Sequence, residues 1–178
     1  MGSGTLIDLI IKDSRRTFSI FLMMSIGMIL IALYMEHFLQ LKPCILCYMQ
    51  RGAVILVGIL AAIGLLINTK KIVSYKILIS GIFLSSLTGA LLAARQLYLQ
   101  SLPADMVPSC VPDIDYLFST LPFLEILILA LTGDGNCAEV LWSFMGISIP
   151  GWVLIALILF MTYCFFIFKN VEEIHSHK

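Results

Sequence analysis

The sequence predicts an all-α membrane protein, a bundle of four transmembrane helices with a long external loop that carries a short interfacial helix. Of the 178 residues, 60% are hydrophobic and only 12% carry a charge, which is unlike the composition of a soluble domain. Four apolar stretches approach the roughly 20 residues that a helix needs to cross a bilayer. The net charge is zero and the sequence has no basic patch, which argues against a nucleic-acid partner.

Each apolar stretch is predicted to form one membrane span, and the four cover residues of about 18–35, 45–67, 72–94 and 147–168. The first and the fourth contain no charged residue, and Trp152 is a suitable interfacial anchor for the fourth. The third carries only Lys76, close enough to its start to reach the interface. A cleaved signal peptide is the alternative for the first span, but its length and the lack of an A-x-A-like site favour a retained helix. Without a long linker or an internal repeat, residues 1–178 are expected to form one domain.

The basic residues predict how the bundle is oriented. Most of the 11 lysines and arginines flank the start of the first span, the connection between the second and third spans, or the end of the fourth. Basic residues close to membrane spans remain in the cytoplasm. Both termini are therefore predicted to be cytoplasmic. The long external loop, residues 95–146, contains six acidic residues and a single basic one, Arg95, at its edge.

The external loop contains one strongly apolar segment, Leu121–Leu131. A helix of this length extends only about 16 Å, too little for a span, and it would include Pro122 and Glu125. We therefore expect a helix that lies in the membrane surface. The alternatives are a helix packed on the bundle and a fifth crossing, which would separate Cys110 from Cys137.

Four of the five cysteines, Cys44, Cys47, Cys110 and Cys137, are predicted to lie at the external face. The fifth, Cys164, lies about 22 Å deeper along the fourth span and is expected to take no part in their chemistry. An even set of cysteines in an oxidising compartment is typical of disulfides. For the loop pair a structural disulfide is one possibility.

The spacing of Cys44 and Cys47 is that of a redox-active CxxC pair. A coincidence of packing is one alternative. Another is half of a zinc site, completed by the loop cysteines, but structural zinc sites use two close pairs and the loop cysteines are far apart. No metal site is therefore predicted.

Arg51 is the charged residue that the second span has to accommodate. If a helix begins near Pro43, then Cys44, Cys47 and Arg51 lie at i, i+3 and i+7 on one face. Arg51 would then sit one turn below Cys47, where it could stabilise a thiolate or an anionic ligand. The alternative is that Arg51 extends to the lipid headgroups.

Taken together, these segments resemble the DsbB family, the quinone-reducing membrane oxidases of bacterial disulfide formation. The resemblance covers most of the chain, and the joint pattern is far more specific than a CxxC alone. It is carried by Leu41-Lys42-Pro43-Cys44-Ile45-Leu46-Cys47 through Arg51, by Leu99-Gln100-Ser101-Leu102-Pro103 before Cys110, and by Gly133-Asp134-Gly135-Asn136-Cys137-Ala138-Glu139 with Trp142, Gly146 and Ile149-Pro150.

The resemblance implies a relay of thiol–disulfide exchanges at the periplasmic side of the bacterial inner membrane. A DsbA-like thioredoxin-fold partner would attack the Cys110–Cys137 disulfide and form a mixed disulfide with Cys110. Cys137 would then exchange with Cys44–Cys47 by attacking Cys44. Cys47, as a thiolate, would pass electrons to a ubiquinone or menaquinone held near Arg51.

The resemblance also points to the outer end of the third span as part of the quinone site. Some relatives have a histidine there, whereas this chain has Arg95 and Gln96, and Gln96 is the candidate for cofactor binding. Two other functions share some of these features. Vitamin K epoxide reductases are four-helix quinone enzymes, but their CxxC follows the loop cysteines instead of preceding them. A non-catalytic scaffold with a loop disulfide would not need Arg51 on the face of the CxxC pair.

Overall fold

The computed structural model describes residues 14–67, 72–103 and 135–176, together with Met106, Pro122, Leu124, Glu125 and Ile128. Its four long helices are α1 (Ser14–His37), α2 (Ile45–Leu66), α3 (Ile72–Gln100) and α5 (Ile149–Ser176). Before α5 come a short helix, α4 (Gly135–Ala138), and a hairpin of β1 (Ser143–Phe144) and β2 (Ile147–Ser148). The four long helices are apolar and long enough to cross a membrane, which confirms the predicted fold class. Cys110 and most of the predicted interfacial segment, Leu121–Leu131, lie outside the described residues.

The third helix extends beyond its predicted end. The hydropathy pattern predicts that the external loop begins at residue 95, whereas α3 continues to Gln100. Between residue 95 and Pro103 the chain contains no glycine or proline that would end the helix. Gln96 and Leu99, three residues apart on one face, are both buried. Arg95 and Gln96 therefore belong to a helix, and this extension brings Gln96 to the candidate site.

The hairpin before α5 replaces the predicted start of the fourth span. Ile147 pairs with Phe144 in an antiparallel ladder, and α5 begins only at Ile149. The two turn residues, Met145 and Gly146, have positive φ angles of 51° and 78°, as a two-residue hairpin turn requires. Trp152 Nε1 donates a hydrogen bond of 3.4 Å to the Phe144 carbonyl and so ties the hairpin to α5.

The helices pack in a ring. Helix α3 contacts both α2 and α5, and α2 contacts α1. Contacts between the aromatic side chain of Phe21 on α1 and those of Phe160 and Tyr163 on α5 close the bundle. Two buried serines join neighbouring helices: Ser25 Oγ donates to the Val54 carbonyl at 2.6 Å, and Ser85 Oγ donates to the Ala53 carbonyl at 2.9 Å. Such bonds are a common means of helix association in membranes.

The end of the bundle remote from the CxxC pair is filled by aromatic side chains. We call this group the basal cluster, and its defining members are Phe18, Phe21, Tyr75, Phe160 and Cys164. Phe18 meets Tyr75 edge to face at 5.5 Å between ring centroids, and Phe21 meets Phe160 in the same way at 5.4 Å. Cys164 lies in this cluster, apart from the buried group that contains Cys44 and Cys137.

Candidate active site

Cys44 and Cys47 lie where the chain enters α2. Cys44 is the last residue before the helix, with an extended backbone (φ −79°, ψ 172°) and no side-chain cap. The unpaired N–H groups at a helix start favour negative charge, so they stabilise a thiolate nearby. The two Sγ atoms are 3.3 Å apart, with the Cys44 thiol donating to Cys47. The pair therefore has the proximity and the local field for thiol–disulfide chemistry.

Cys137 reaches this pair from the end of the external loop. It lies on α4, is fully buried, and packs in one cluster with Cys44 and Leu46. A hydrogen bond with Cys137 raises the pKa of the Cys44 thiol to about 12, and burial adds to the shift. Cys44 is thus in contact with Cys137 on one side and Cys47 on the other.

A pair of buried glutamines adjoins the two sulfurs. Gln96 Nε2 lies 3.4 Å from Cys44 Sγ and 3.4 Å from Cys47 Sγ. Gln96 Oε1 accepts a hydrogen bond of 2.8 Å from Gln50 Nε2 and lies 3.6 Å from Cys47 Sγ. The sulfurs are therefore in contact with an amide from α3, which is in turn held by an amide from α2.

Arg51 is paired with an acid from α1. Its guanidinium forms an ion pair with Glu36 and donates to the Ala32 carbonyl at 3.3 Å. It also lies over the Tyr48 ring, 5.4 Å from the centroid, and the Tyr48 hydroxyl donates to Glu36 at 3.2 Å. These contacts anchor Arg51 to the end of α1, where its charge is neutralised by a carboxylate.

A half-open cavity lies beside Cys47 and Arg51, between α1, α2 and α5. Its polar lining consists of Arg51, Lys42, Glu36 and Gln50, and Cys47 is the cysteine that lines it. The rest of the wall is largely apolar: Met28, Ile29, Ala32, Met35, Leu41, Pro43, Val54, Leu141, Ile149 and Val153. A concave apolar site with a few polar groups fits an apolar ring with polar oxygens.

The structure brings together most of the residues that the sequence singled out. Cys44, Cys47, Cys137 and Gln96 are in contact, and Arg51 shares the cavity with Cys47. The Cys47 sulfur is contacted by Gln96, and Arg51, one of whose predicted roles was to stabilise a thiolate, is paired with Glu36. Among the described residues of α3, Arg95 stacks on Tyr98 at 5.3 Å and does not line the cavity.

Sequence reasoning missed Glu36 and Gln50. Glu36 is an acid at the end of an apolar span, and Gln50 is an amide within one. Polar residues at membrane depth call for a partner, and that signal could have identified both. The partners themselves depend on how α1, α2 and α3 pack, so spacing along the chain does not identify them.

Comparison with known proteins agrees with this geometry. The family model of disulfide bond formation protein DsbB matches residues 14–167. Disulfide bond formation protein B of Hahella chejuensis is 46% identical over 132 residues, which cover 74% of this chain and 79% of the relative. The Marinobacter nauticus protein of the same name is 42% identical over 144 residues, 80% of this chain and 84% of the relative. That of Psychrobacter arcticus is 37% identical over 164 residues, 88% of this chain and 91% of the relative.

The relatives cover most of the chain, and the family match includes Cys44 and Cys47 at the start of α2 and Cys137 on α4. The structure agrees with this family match, because it has four helices able to span a membrane and a buried group of thiols. The chain belongs to the DsbB family of disulfide bond formation proteins.

Proposed function

We propose that this membrane protein of disulfide bond formation is a thiol:quinone oxidoreductase that reoxidises a DsbA-like thioredoxin-fold protein. One observation carries the proposal. Cys44 contacts Cys137 of the loop on one side and Cys47 on the other, and Cys47 faces the apolar cavity. The order of the three sulfurs is the order that a relay from an external partner to a lipid-soluble acceptor requires.

The first exchange takes place in the external loop. A thiolate of the reduced partner attacks Cys110 Sγ, the Cys110–Cys137 bond breaks, and its electron pair stays on Cys137 as a thiolate. The second thiol of the partner then displaces Cys110 from the mixed disulfide. The partner leaves as a disulfide, and the two loop cysteines hold its two electrons. Cys110 lies outside the described residues, so its part rests on the family resemblance.

The second exchange uses the contact between Cys137 and Cys44. Cys137 attacks Cys44 Sγ, the Cys44–Cys47 bond breaks, and the electron pair leaves on Cys47 as a thiolate. Cys110 then attacks Cys137, which restores the loop disulfide and frees Cys44. The helix start and the Gln96 amide both lie where the negative charge develops.

The cavity residues fit the head group of a ubiquinone or a menaquinone. A bound quinone would supply an acceptor for two electrons and two protons. Arg51 and Gln50 present N–H donors to the cavity, and Arg51 stabilises negative charge that develops on an oxygen there. The wall beside Cys47 is largely apolar, and exposed apolar side chains continue along α1. As Cys44–Cys47 re-forms its disulfide, the loop is ready for another reduced partner.

The proposal also includes an orientation, with the thiols at the periplasmic face of the bacterial inner membrane and both termini in the cytoplasm. It rests on the distribution of basic residues at the ends of the spans. In a variant without native cysteines, a cysteine at Ser101 should react with an impermeant thiol reagent added outside. A cysteine at Ser176 should not, and labelling of both positions from the same side would contradict the orientation.

The direct test is quinone reduction by the purified full chain in lipid nanodiscs. A reduced DsbA-type protein and a short-chain ubiquinone or menadione would be added, and quinone absorbance would be followed together with partner thiols. We expect one quinone reduced for each partner disulfide formed. Partner binding without quinone reduction would favour a non-catalytic scaffold instead.

A further inference from the structure

Two glutamine side chains are almost completely buried beside the sulfurs, with Gln50 4% and Gln96 3% exposed. An amide inside a membrane bundle costs several kcal/mol if its hydrogen bonds are unmade. Both amides have partners: Gln50 Nε2 donates to Gln96 Oε1 at 2.8 Å, and Gln96 Nε2 lies 3.4 Å from each sulfur of the CxxC pair. The amides and the sulfurs thus form one connected group.

The direction of the hydrogen bond between the two amides decides which group of Gln96 faces the sulfurs. An amide nitrogen is a donor only, so Gln50 Nε2 requires the oxygen of Gln96 as its partner. Because that oxygen is held by Gln50, the NH₂ group of Gln96 lies 3.4 Å from both sulfurs, and the oxygen lies slightly farther from Cys47 Sγ, at 3.6 Å. The two hydrogens of the NH₂ group suffice for one bond to each sulfur. Without the Gln50 donor, the Gln96 amide could turn over and place its oxygen, now 3.6 Å from Cys47 Sγ, against both sulfurs, where it would repel a thiolate.

We propose that Gln50 is a positioning residue that holds the NH₂ group of Gln96 against both sulfurs and so makes the Cys44–Cys47 disulfide more oxidising. The inference rests on the proposed redox role of this pair. When Cys137 attacks Cys44, the Cys44–Cys47 bond breaks and its electron pair remains on Cys47. A hydrogen bond to this thiolate is stronger than one to a disulfide sulfur, so the amide stabilises the reduced form selectively. Selective stabilisation of the reduced form raises the reduction potential.

A purely structural role is the competing explanation, since Gln50 and Gln96 also join α2 to α3. A matched control exists on the same helix pair. Ser85 of α3 is buried, donates to the Ala53 carbonyl of α2 at 2.9 Å, and has no sulfur among its described contacts. Loss of the Ser85 bond weakens the same helix contact and leaves the Gln96 amide in place.

The test measures the equilibrium between Cys44–Cys47 and dithiothreitol redox buffers, read from the mass shift on alkylation. The full chain would carry serine at positions 110, 137 and 164, so that only this pair titrates. Gln50→Met should lower the equilibrium constant for reduction by about 3- to 10-fold, the size of one hydrogen bond. Ser85→Ala should leave it unchanged. Equal values for Gln50→Met and the parent would overturn the proposal.

A double-mutant cycle shows whether Gln50 acts through Gln96. Gln96→Met should lower the constant at least as much as Gln50→Met, and Gln50→Met should then add no further change. Independent, additive shifts would contradict a positioning role. If Gln50→Met does not fold, an unchanged constant in Gln96→Met alone would still overturn the proposal. The measurement uses neither quinone nor partner, so its outcome is separate from whether the wild-type chain reduces a quinone.

Discussion

Cys47 and Cys164 are both cysteines inside the helix bundle, but their surroundings differ in almost every respect. Cys47 has a second sulfur at 3.3 Å, an amide nitrogen at 3.4 Å and a cavity beside it. Cys164 is fully buried in the basal cluster among apolar and aromatic side chains. Burial alone therefore does not decide what a thiol can do. The reactivity of a thiol depends on the hydrogen-bond donors that stabilise its charge and on the access of a second reactant.

The same contrast extends to the two ends of the bundle. At the thiol end, polar groups pair between helices: Glu36 of α1 with Arg51 of α2, and Gln50 of α2 with Gln96 of α3. At the basal end, rings pack edge to face. Polar residues inside a membrane bundle are costly and mark function, whereas close packing holds helices together. We expect substitutions at the thiol end to change activity and those at the basal end to change stability.

The greatest loss of activity should come from the sulfurs themselves. Cys44→Ser and Cys137→Ser should each abolish quinone reduction by the reduced partner, because each removes a link of the relay. Cys137→Ser should also accumulate the mixed disulfide between the partner and Cys110, visible on a non-reducing gel. Cys164→Ser should keep wild-type turnover. Full activity of the Cys137 variant would return that cysteine to a structural role.

Removal of Arg51 should have the next greatest effect on activity. A hydrogen bond to a charged group is worth about 1.5–3 kcal/mol, so Arg51→Ala should slow quinone reduction by roughly 10- to 100-fold. Lysine should restore only part of the rate, because it lacks the planar fork. Partner oxidation by the preformed disulfides in a single turnover should be unchanged. Stopped-flow absorbance measures both rates, and Arg95→Ala is the control for loss of an arginine outside the cavity. Normal quinone kinetics in Arg51→Ala would mean that the site lies elsewhere.

Substitutions at the basal end should change the free energy of unfolding. A Cβ on Gly64 would lie 2.7 Å from ring atoms of Phe18, whereas one on Gly27 would meet nothing within 4 Å. Gly64→Ala should therefore lower the free energy of unfolding by about 1–3 kcal/mol, as overpacking does, and Gly27→Ala should not. Thermal unfolding in detergent measures the difference. A loss of quinone turnover in folded Gly64→Ala, with unchanged stability, would contradict the division between the two ends.

The mildest change is expected at Glu36. Arg51 and Glu36 are 20% and 24% exposed, and partly exposed ion pairs are worth about 0.2–1 kcal/mol. Glu36→Gln should therefore raise the KM for quinone by no more than about 5-fold, because Arg51 is held less firmly at the cavity wall. Steady-state kinetics over a range of quinone concentrations would show the change. A lower KM would mean that Glu36 instead withholds Arg51 from the ligand.

Composition and local spacing were sufficient to predict the helices and part of the site. Four apolar stretches predicted four helices, and the interval from Cys47 to Arg51 predicted that both face one side of α2. The pairing of Arg51 with Glu36 could not be predicted from the sequence, because it joins residues on different helices. The hairpin was also missed, since its turn places Met145, a residue without glycine's freedom, at a positive φ.

Gln96 was predicted only in part. The family resemblance marked its position, but hydropathy placed it at the edge of a loop. The extension of α3 from residue 95 to Gln100 depends on burial of Gln96 and Leu99 against neighbouring helices, and tertiary packing of this kind overrides a boundary drawn from hydropathy.

The proposed relay depends above all on Cys44 facing the loop cysteine while Cys47 faces the cavity. Two variants of the chain test this arrangement, both with Cys110→Ser so that Cys137 cannot form the loop disulfide, one with Cys47→Ser and the other with Cys44→Ser. Each would be exposed to mild oxidant, and disulfide-linked peptides would be quantified by mass spectrometry over time. We predict rapid formation of a Cys44–Cys137 disulfide in the first variant and little or no Cys47–Cys137 disulfide in the second. Equal rates, or faster cross-linking of Cys47, would contradict the relay.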